Sequence, residues 1–338
     1  MTKITKFLEI LLEGNDLTFD QAKELLDTIF TGDVAEVQIA AFLAAMRVKK
    51  ASVSELAGLA RSLRDHAVKV NVKARKLIDT CGTGGANLKT FNISTAAALV
   101  AAGAGAYVAK HGNRGITSKC GSADVLAELG VNIDPGPEKV AQCIEQAHIG
   151  FMFAPKFHPA MKHVQPIRQS LDFRTAFNIL GPLANPANAA AQVMGVPDES
   201  LMHRIAEALN MLGVKRAMVV HSAGLDEIST MAKTEILHLN NGHMSNETLD
   251  PTEYGIALTS FDTLKGGDAK TNAEIIKGVL SGTEKRPRKD IVVLNAAAAI
   301  IVAGLADNFQ AAIELADEAI TKQKAMAALE KLIEISNS

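Results

Sequence analysis

Lys76-Leu77-Ile78-Asp79-Thr80-Cys81-Gly82-Thr83-Gly84-Gly85-Ala86 runs from an apolar strand pattern into three glycines within four residues. A helix pattern starts shortly after, near Asn92-Ile93-Ser94-Thr95. Glycines let the backbone take positive φ and approach a ligand closely. Consecutive N–H groups followed by a helix N-terminus favour a bound anion. The segment is not a Walker loop, because no Gly-Lys-Ser/Thr follows, and the dinucleotide pattern G-x-G-x-x-G is absent. Taken alone, such a turn is as often a tight surface turn as an anion loop.

A second polar loop lies one strand further on. Lys110-His111-Gly112-Asn113-Arg114-Gly115-Ile116-Thr117-Ser118-Lys119 follows an apolar run and precedes a helix opened by Ser122. Two such loops at the ends of successive strands are seldom accidental, since ligands sit at the carboxyl ends of sheet strands. Strands are predicted at 76–80, 107–110, 150–154, 192–196 and 217–221. Helices are predicted between them at 94–104, 122–129, 137–147 and 199–212. This alternation argues for an α/β domain with a largely parallel sheet flanked by helices.

Residues 1–70 read as a small all-helical domain. Thr18 with Gln21, and Ser52 with Glu55, have capping-box spacing. Ile39, Phe42, Leu43 and Met46 fall on one helix face. Residues 71–338 form the large domain, and helices from about 158–180 are expected to join the small one. The last 65 residues or so return to helix.

The chain has 338 residues, 48% hydrophobic and 21% charged, which suits a globular fold with an ample core. Its formal net charge of −2 offers no global attraction to nucleic acid or an anionic membrane, so neither is expected as a partner. Cys81, Cys120 and Cys143 form no CxxC pair and read as reduced thiols. No signal-peptide pattern opens the chain, and the apolar stretches 96–109 and 291–306 are too short to span a bilayer. A cytoplasmic protein is expected.

Two further segments could carry chemistry. Asp226-Glu227 follows the strand at 217–221, and adjacent carboxylates beside phosphate oxygens suit Mg²⁺. Ala154-Pro155-Lys156-Phe157-His158-Pro159-Ala160-Met161 leads to Arg168, which could grip a carboxylate bidentately. Arg174 is the second choice for that role. Each segment alone is more often a solvated stretch of surface than a site.

Together, and in this order, the segments resemble the anthranilate phosphoribosyltransferases. Lys110-His111-Gly112-Asn113-Arg114 and Phe177-Asn178-Ile179-Leu180-Gly181-Pro182-Leu183 are the most specific parts of the resemblance. It implies a helical domain, an α/β domain and a homodimer through the N-terminal helices, where Ile39 or Phe42 could be exposed. It implies transfer of phosphoribose from phosphoribosyl pyrophosphate (PRPP) to anthranilate with one or two Mg²⁺ ions. Carried over by position, Gly82, Gly85, Ala86, Thr90, Asn92, Ile93, Ser94, Thr95, Lys110, Gly112, Asn113, Arg114, Thr117, Ser118 and Ser122 would hold PRPP. Gly82, Asn113, Ala154, Pro155, His158, Met161 and Arg168 would meet anthranilate. Ser94, Asp226 and Glu227 would meet Mg²⁺. His111, Asn113 and Lys110 would sit closest to the chemistry, with His111 positioning the amine and no strong general base required.

The sequence departs from that family at Ala86-Asn87, where an Asp-Gly pair is usual, and at Asp172, where Gly is preferred. A pyrimidine nucleoside phosphorylase of the same fold and a non-enzymatic nucleic-acid-binding relative are the competing readings.

Overall fold

The computed structural model describes residues 3–73, 76–86, 88–115 and 119–338. Thr117, Ser118 and Asn87 lie outside these residues.

Four helices, Lys3–Leu12, Phe19–Phe30, Glu36–Lys49 and Val53–Asp65, open the chain. Both expected capping boxes are present: Thr18 accepts from the Gln21 N–H, and Ser52 from the Glu55 N–H. The second box reaches further. The fully buried Glu55 carboxylate also accepts from the Leu17 N–H at 2.9 Å and pairs with Lys49 at 2.8 Å. A buried charge satisfied in this way ties helix starts from two parts of the bundle together.

Seven strands form one sheet in the order β3-β2-β1-β4-β5-β6-β7. They are β1 Leu77–Gly82, β2 Tyr107–Gly112, β3 Ile149–Phe153, β4 Ala191–Gly195, β5 Arg216–His221, β6 Thr234–Asn240 and β7 His243–Leu249. The first five pair in parallel, and β5-β6-β7 run antiparallel. The sheet is therefore mixed but mostly parallel. The β6–β7 hairpin goes beyond the sequence reading. It turns at Asn241-Gly242, both with positive φ, as a two-residue hairpin requires.

The two-residue period of a strand divides the core. Val193 and Met218 face the C-terminal helices, while their neighbours Met194 and Val219 face the N-terminal helices. The helices Ile93–Gly103, Ala269–Ser281, Arg288–Ala303, Phe309–Thr321 and Lys324–Asn337 cover the first side. On the second side the small bundle shares its core with Val164, Ile167, Phe177, Leu180 and the helix Met202–Met211.

Ile39 and Phe42 are 3% and 0% exposed. Their apolar face is consumed inside the chain, which corrects the expectation that they could meet a second copy. Among the described residues, no helix is long and apolar enough to cross a membrane.

Candidate active site

The parallel strands deliver their loops to one edge, and glycines end three of them. Gly82 of β1 is in register with Gly195 of β4, and Gly112 ends β2. Each is bare for a reason. A Cβ at Gly82 would stand 2.2 Å from Asp226 Oδ2, and one at Gly195 1.6 Å from the Asp226 carbonyl. A Cβ at Gly112 would meet Ser122 Oγ at 2.1 Å. Asp226, from the loop after β5, therefore lies directly across the ends of β1 and β4. Its Oδ2 accepts from the Gly84 N–H at 3.0 Å, holding a loop in which Gly84 and Gly85 have φ of 68° and 83°.

Burial raises the pKa of Asp226. Burial, and then the charge of Asp226 beside it, push Glu227 up to about 8, against the pull of Lys110 and of the Ser94 N–H. Two desolvated neighbouring carboxylates favour a cation between or beside them. Glu227 and Ser94 line one small cavity with Thr80 and Asn295. Ser94, Asp226 and Glu227 offer oxygen donors, which suit Mg²⁺, and Cys81 also lines the cavity. Among the described residues, no group of three or more acidic, His or Cys side chains converges, so an ion here would need oxygens from a substrate and water.

Lys110 is 2% exposed, and its Nζ donates to the Thr80 carbonyl at 2.5 Å. It thus sits behind the anion loop rather than on its open face. Beneath it the fully buried Asp79 accepts from the Thr80 and His111 N–H groups and from Asn185 Nδ2 at 2.7 Å. Burial raises the Asp79 pKa, and Lys110 opposes that shift. Asn185 also donates to the Ala109 carbonyl, so this network fixes β1 against β2. Sequence reasoning assigned Asp79 and Asn185 no role. A charge inside an apolar strand was the available signal for Asp79.

The second polar loop has its own organiser, also missed. Asp124 accepts from the Gly115 N–H at 2.8 Å and the Gly121 N–H at 2.9 Å, and pairs with Arg114 at 2.8 Å. These partners outweigh desolvation and hold its pKa low. Arg114 also lies 5.8 Å from the Phe153 ring centroid. Its guanidinium is accordingly engaged within the chain. Asn113 is exposed, and its carbonyl accepts from Ser122 Oγ at 3.4 Å.

Around the first helix of the α/β unit the proposed contacts divide. Ser94 is partly exposed, whereas Ile93 and Thr95 are each 1% exposed. Their N–H groups bond to Phe91 and Asn92 carbonyls, so they build the helix start and leave no backbone donor open, while the buried Thr95 hydroxyl has no partner among the described residues. Asn92 accepts from Asn272 Nδ2 at 2.9 Å and donates to the Cys120 carbonyl at 3.3 Å. Thr90 bridges to Lys265. Ala86 is 6% exposed, and its carbonyl accepts from Lys89 Nζ at 2.6 Å.

The remaining candidates follow β3. Ala154 and Pro155 begin a short helix, His158 ends it, and Met161 lies in the next turn before the helix Gln165–Leu171 that carries Arg168. His158 packs edge-on against His111 with ring centroids 5.0 Å apart. His111 Nδ1 is 3.2 Å from the Gly181 carbonyl and Nε2 has no partner, which assigns the proton to Nδ1 and leaves Nε2 an acceptor. The Leu63 and Ala184 carbonyls face His158, yet neither ring nitrogen makes a hydrogen bond of normal geometry. Burial pulls His111 down to about 3 and His158 to about 4, so both are neutral at pH 7.

Arg168 donates to Gln165 Oε1 at 3.0 Å and stacks 5.3 Å from the Phe177 ring centroid. Its pKa is lowered by desolvation alone. A half-buried guanidinium with no acidic partner has donors to spare for a carboxylate. Arg174 points elsewhere. A Cβ at Gly85 would meet its Nη2 at 2.3 Å, which places Arg174 against the Gly-rich loop.

The chain as a whole is similar to known proteins. Residues 5–67 match the helical bundle domain of the glycosyl transferase family, and residues 74–326 match its a/b domain. Anthranilate phosphoribosyltransferase of Methanocorpusculum labreanum is 47% identical, over 98% of each chain. That of Acetivibrio thermocellus is 46% identical, over 99% of this chain and 97% of its own. The crystal structure of the Thermus thermophilus enzyme superposes with a TM-score of 0.93 at 38% identity, over 98% of this chain and 99% of that one. The Saccharomyces cerevisiae enzyme in complex with PRPP and Mg does so at 0.90 and 28%, over 99% and 98%. With helical bundle and a/b domain both matched and near-half identity over its whole length, the chain belongs to the anthranilate phosphoribosyltransferases of the glycosyl transferase family.

Proposed function

We propose that this chain carries out its family's reaction at the edge formed by β1, β2, β4 and β5. Phosphoribose passes from PRPP to the amine of anthranilate, giving N-(5-phosphoribosyl)anthranilate and pyrophosphate for tryptophan biosynthesis. The observation that carries the reading is the seat of Asp226 on Gly82 and Gly195. It sets a pair of carboxylates against a loop whose N–H groups favour anions. That arrangement is self-repelling toward a bare pyrophosphate unless a divalent cation joins the two.

Asp226, Glu227 and Ser94 would hold Mg²⁺. When bound, the ion neutralises charge on the leaving pyrophosphate. The chain's own groups do the rest. The Gly-rich loop supplies fixed N–H donors to the departing oxygens, and Lys110 contributes positive potential from behind Thr80. Arg168 grips the anthranilate carboxylate. His111 is the candidate for positioning the amine: Nδ1 is held by the Gly181 carbonyl, and the buried Nε2 is left as an unpaired acceptor. With its pKa near 3, His111 orients rather than deprotonates, and the amine of an aniline is already neutral at pH 7. Orientation and electrostatics supply the acceleration.

The second complex of the Saccharomyces cerevisiae enzyme, with 4-fluoroanthranilate, supports an aromatic acid as acceptor; it matches at a TM-score of 0.89 and 27% identity over 99% of this chain. Val37 and Val48 are 74% and 85% exposed, and eleven residues is about three helical turns, so they share a face. That face of Glu36–Lys49 is the proposed homodimer surface, in a cytoplasmic enzyme.

Loss of anthranilate fluorescence with PRPP, with and without EDTA, tests the reaction. Mg²⁺-dependent consumption is expected. Phosphorolysis of thymidine with no anthranilate consumption would overturn it.

A further inference from the structure

The transfer site leaves a sizeable cleft unused. It has a volume of about 280 Å³ and lies between the small bundle and the α/β unit. Met46, Arg47 and Lys50 line it from the bundle side, and Arg174, Ile179 and Arg204 from the other. Met46 is buried and Ile179 half-buried, while Arg47, Lys50 and Arg174 are exposed. The cleft therefore joins an apolar floor to a cationic rim.

The cations are only partly neutralised from within: Arg174 feels Asp226 and Arg204 feels Asp198, while Arg47 and Lys50 have no acid partner among the described residues. Among the described residues, the Arg47 and Lys50 side chains make no hydrogen bond or ion pair. Arg204 Nη1 donates to the Ala51 carbonyl at 3.3 Å, and Arg174 Nη2 to the Gly84 carbonyl at 3.5 Å. Asp198 is the single described acid in the lining, and its Oδ1 is occupied by the Ser200 N–H at 3.0 Å. Four cations face one carboxylate, in a chain whose net charge is −2. Such a concave concentration of one sign draws counter-ions.

Arg174 is shared between two places. It lines this cleft and also rests on Gly85, the positive-φ residue of the anion loop. An anion captured in the cleft would compete with the Gly84 carbonyl for that guanidinium. The volume lies at the small end of ligand cavities, which suits a ring-sized molecule and excludes a macromolecule.

We propose that this interdomain cleft binds a small organic anion, with a phosphate or carboxylate head on a compact apolar body, and that Arg174 relays its occupancy to the Gly-rich loop. The head meets Arg47, Lys50 and Arg204, and the body lies on Met46 and Ile179. Drawing Arg174 off Gly84 loosens the loop and weakens PRPP binding.

Calorimetric titration of the full chain, saturated with PRPP and Mg²⁺, with phenyl phosphate and with phenylacetate tests the site. This readout needs no turnover, so it stands apart from the proposed reaction. At least one probe should bind the wild type and Arg168→Ala alike. The double variant Arg47→Ala, Lys50→Ala should bind about ten-fold more weakly, the scale of one lost charged hydrogen bond. The better-bound probe assigns the head group. In the anthranilate assay the probe should raise the KM for PRPP in the wild type. It should not do so in the double variant, whose rate without probe should equal that of the wild type. The site is overturned if neither probe binds, if the double variant binds as the wild type does, or if Arg168→Ala abolishes binding. The relay is overturned if the probe binds and the KM for PRPP does not move.

Discussion

Asp226 rests on the bare backbone of Gly195, so closely that a Cβ at Gly195 would stand 1.6 Å from the Asp226 carbonyl oxygen. The clash would be with main chain, which cannot swing aside as a side-chain end can. The same aspartate presses on Gly82 and holds the Gly84 N–H. One residue thereby sets the relative positions of the β1 loop, the end of β4 and the acid pair.

Gly195→Ala must move Asp226 by more than an ångström and carry Glu227 with it. The sheet itself is unaffected, because the residue is the last of β4. Steady-state kinetics should show kcat/KM for PRPP down about 100-fold, the cost of a 1 Å misplacement in an oriented site. The Mg²⁺ concentration for half-activity should rise, with circular dichroism unchanged. Kinetics equal to the wild type would remove Asp226 from the site.

Arg168 offers a separable effect on the second substrate. Its guanidinium has Gln165 and Phe177 as partners and no acid. Arg168→Ala should raise the KM for anthranilate about 10- to 100-fold, matching about 1.5–3 kcal/mol for hydrogen bonds to a charged group. The KM for PRPP should stay within about two-fold, because Arg168 touches no part of the anion loops. Arg168→Lys should recover only part of the loss, since an ammonium cannot make the bidentate fork. An unchanged KM for anthranilate in Arg168→Ala would reject the assignment.

What could be read in advance follows the range of each interaction. Strands β1 to β5 are apolar runs, most of them ending in a polar or Gly-rich turn, a local signal. Strand β6 mixes polar residues into a largely buried run and β7 is mostly exposed, so their composition resembles a loop, and only Asn241-Gly242 marks the turn. The capping boxes were visible because they span three residues. Asp79 with Asn185 spans 106 residues, and nothing local announces it. Ile39 and Phe42 show the remaining limit. Periodicity identifies an apolar face but not whether that face meets its own chain or another, and here it meets its own. The Arg47–Arg204 cleft is likewise built from segments whose meeting no local pattern encodes.

Asp172 tests a departure from the family's usual glycine. It ends the helix of Arg168 with φ of 49° and ψ of 28°, in the left-handed region. Glycine enters that region without the steric cost an L side chain bears, and aspartate is among the more tolerant of the others. Asp172→Gly should stabilise the chain by about 0.5–1 kcal/mol, and Asp172→Val should destabilise it, since a β-branched side chain fits that region worst. Thermal melting midpoints in that order, Gly above Asp above Val, are the expected outcome. A Gly variant that melts below the wild type would mean that the Asp172 side chain holds the turn.

His158 gives the pH dependence. In the folded chain burial pulls its pKa down to about 4, whereas an unfolded histidine titrates near 6.5. The folded state therefore stays neutral while the unfolded state takes up a proton as pH falls below about 6.5. Stability from this group is complete above that value and is lost progressively down to about pH 4. At pH 5 the loss is about 2 kcal/mol. His158→Phe keeps the ring contact with His111 and removes the titration. Carboxylates elsewhere titrate in both proteins and cancel in the comparison. The melting midpoint of His158→Phe relative to the wild type should rise by a few degrees between pH 7 and pH 5. An offset that stays constant with pH would mean that His158 becomes charged within the fold, with the Leu63 or Ala184 carbonyl as its partner.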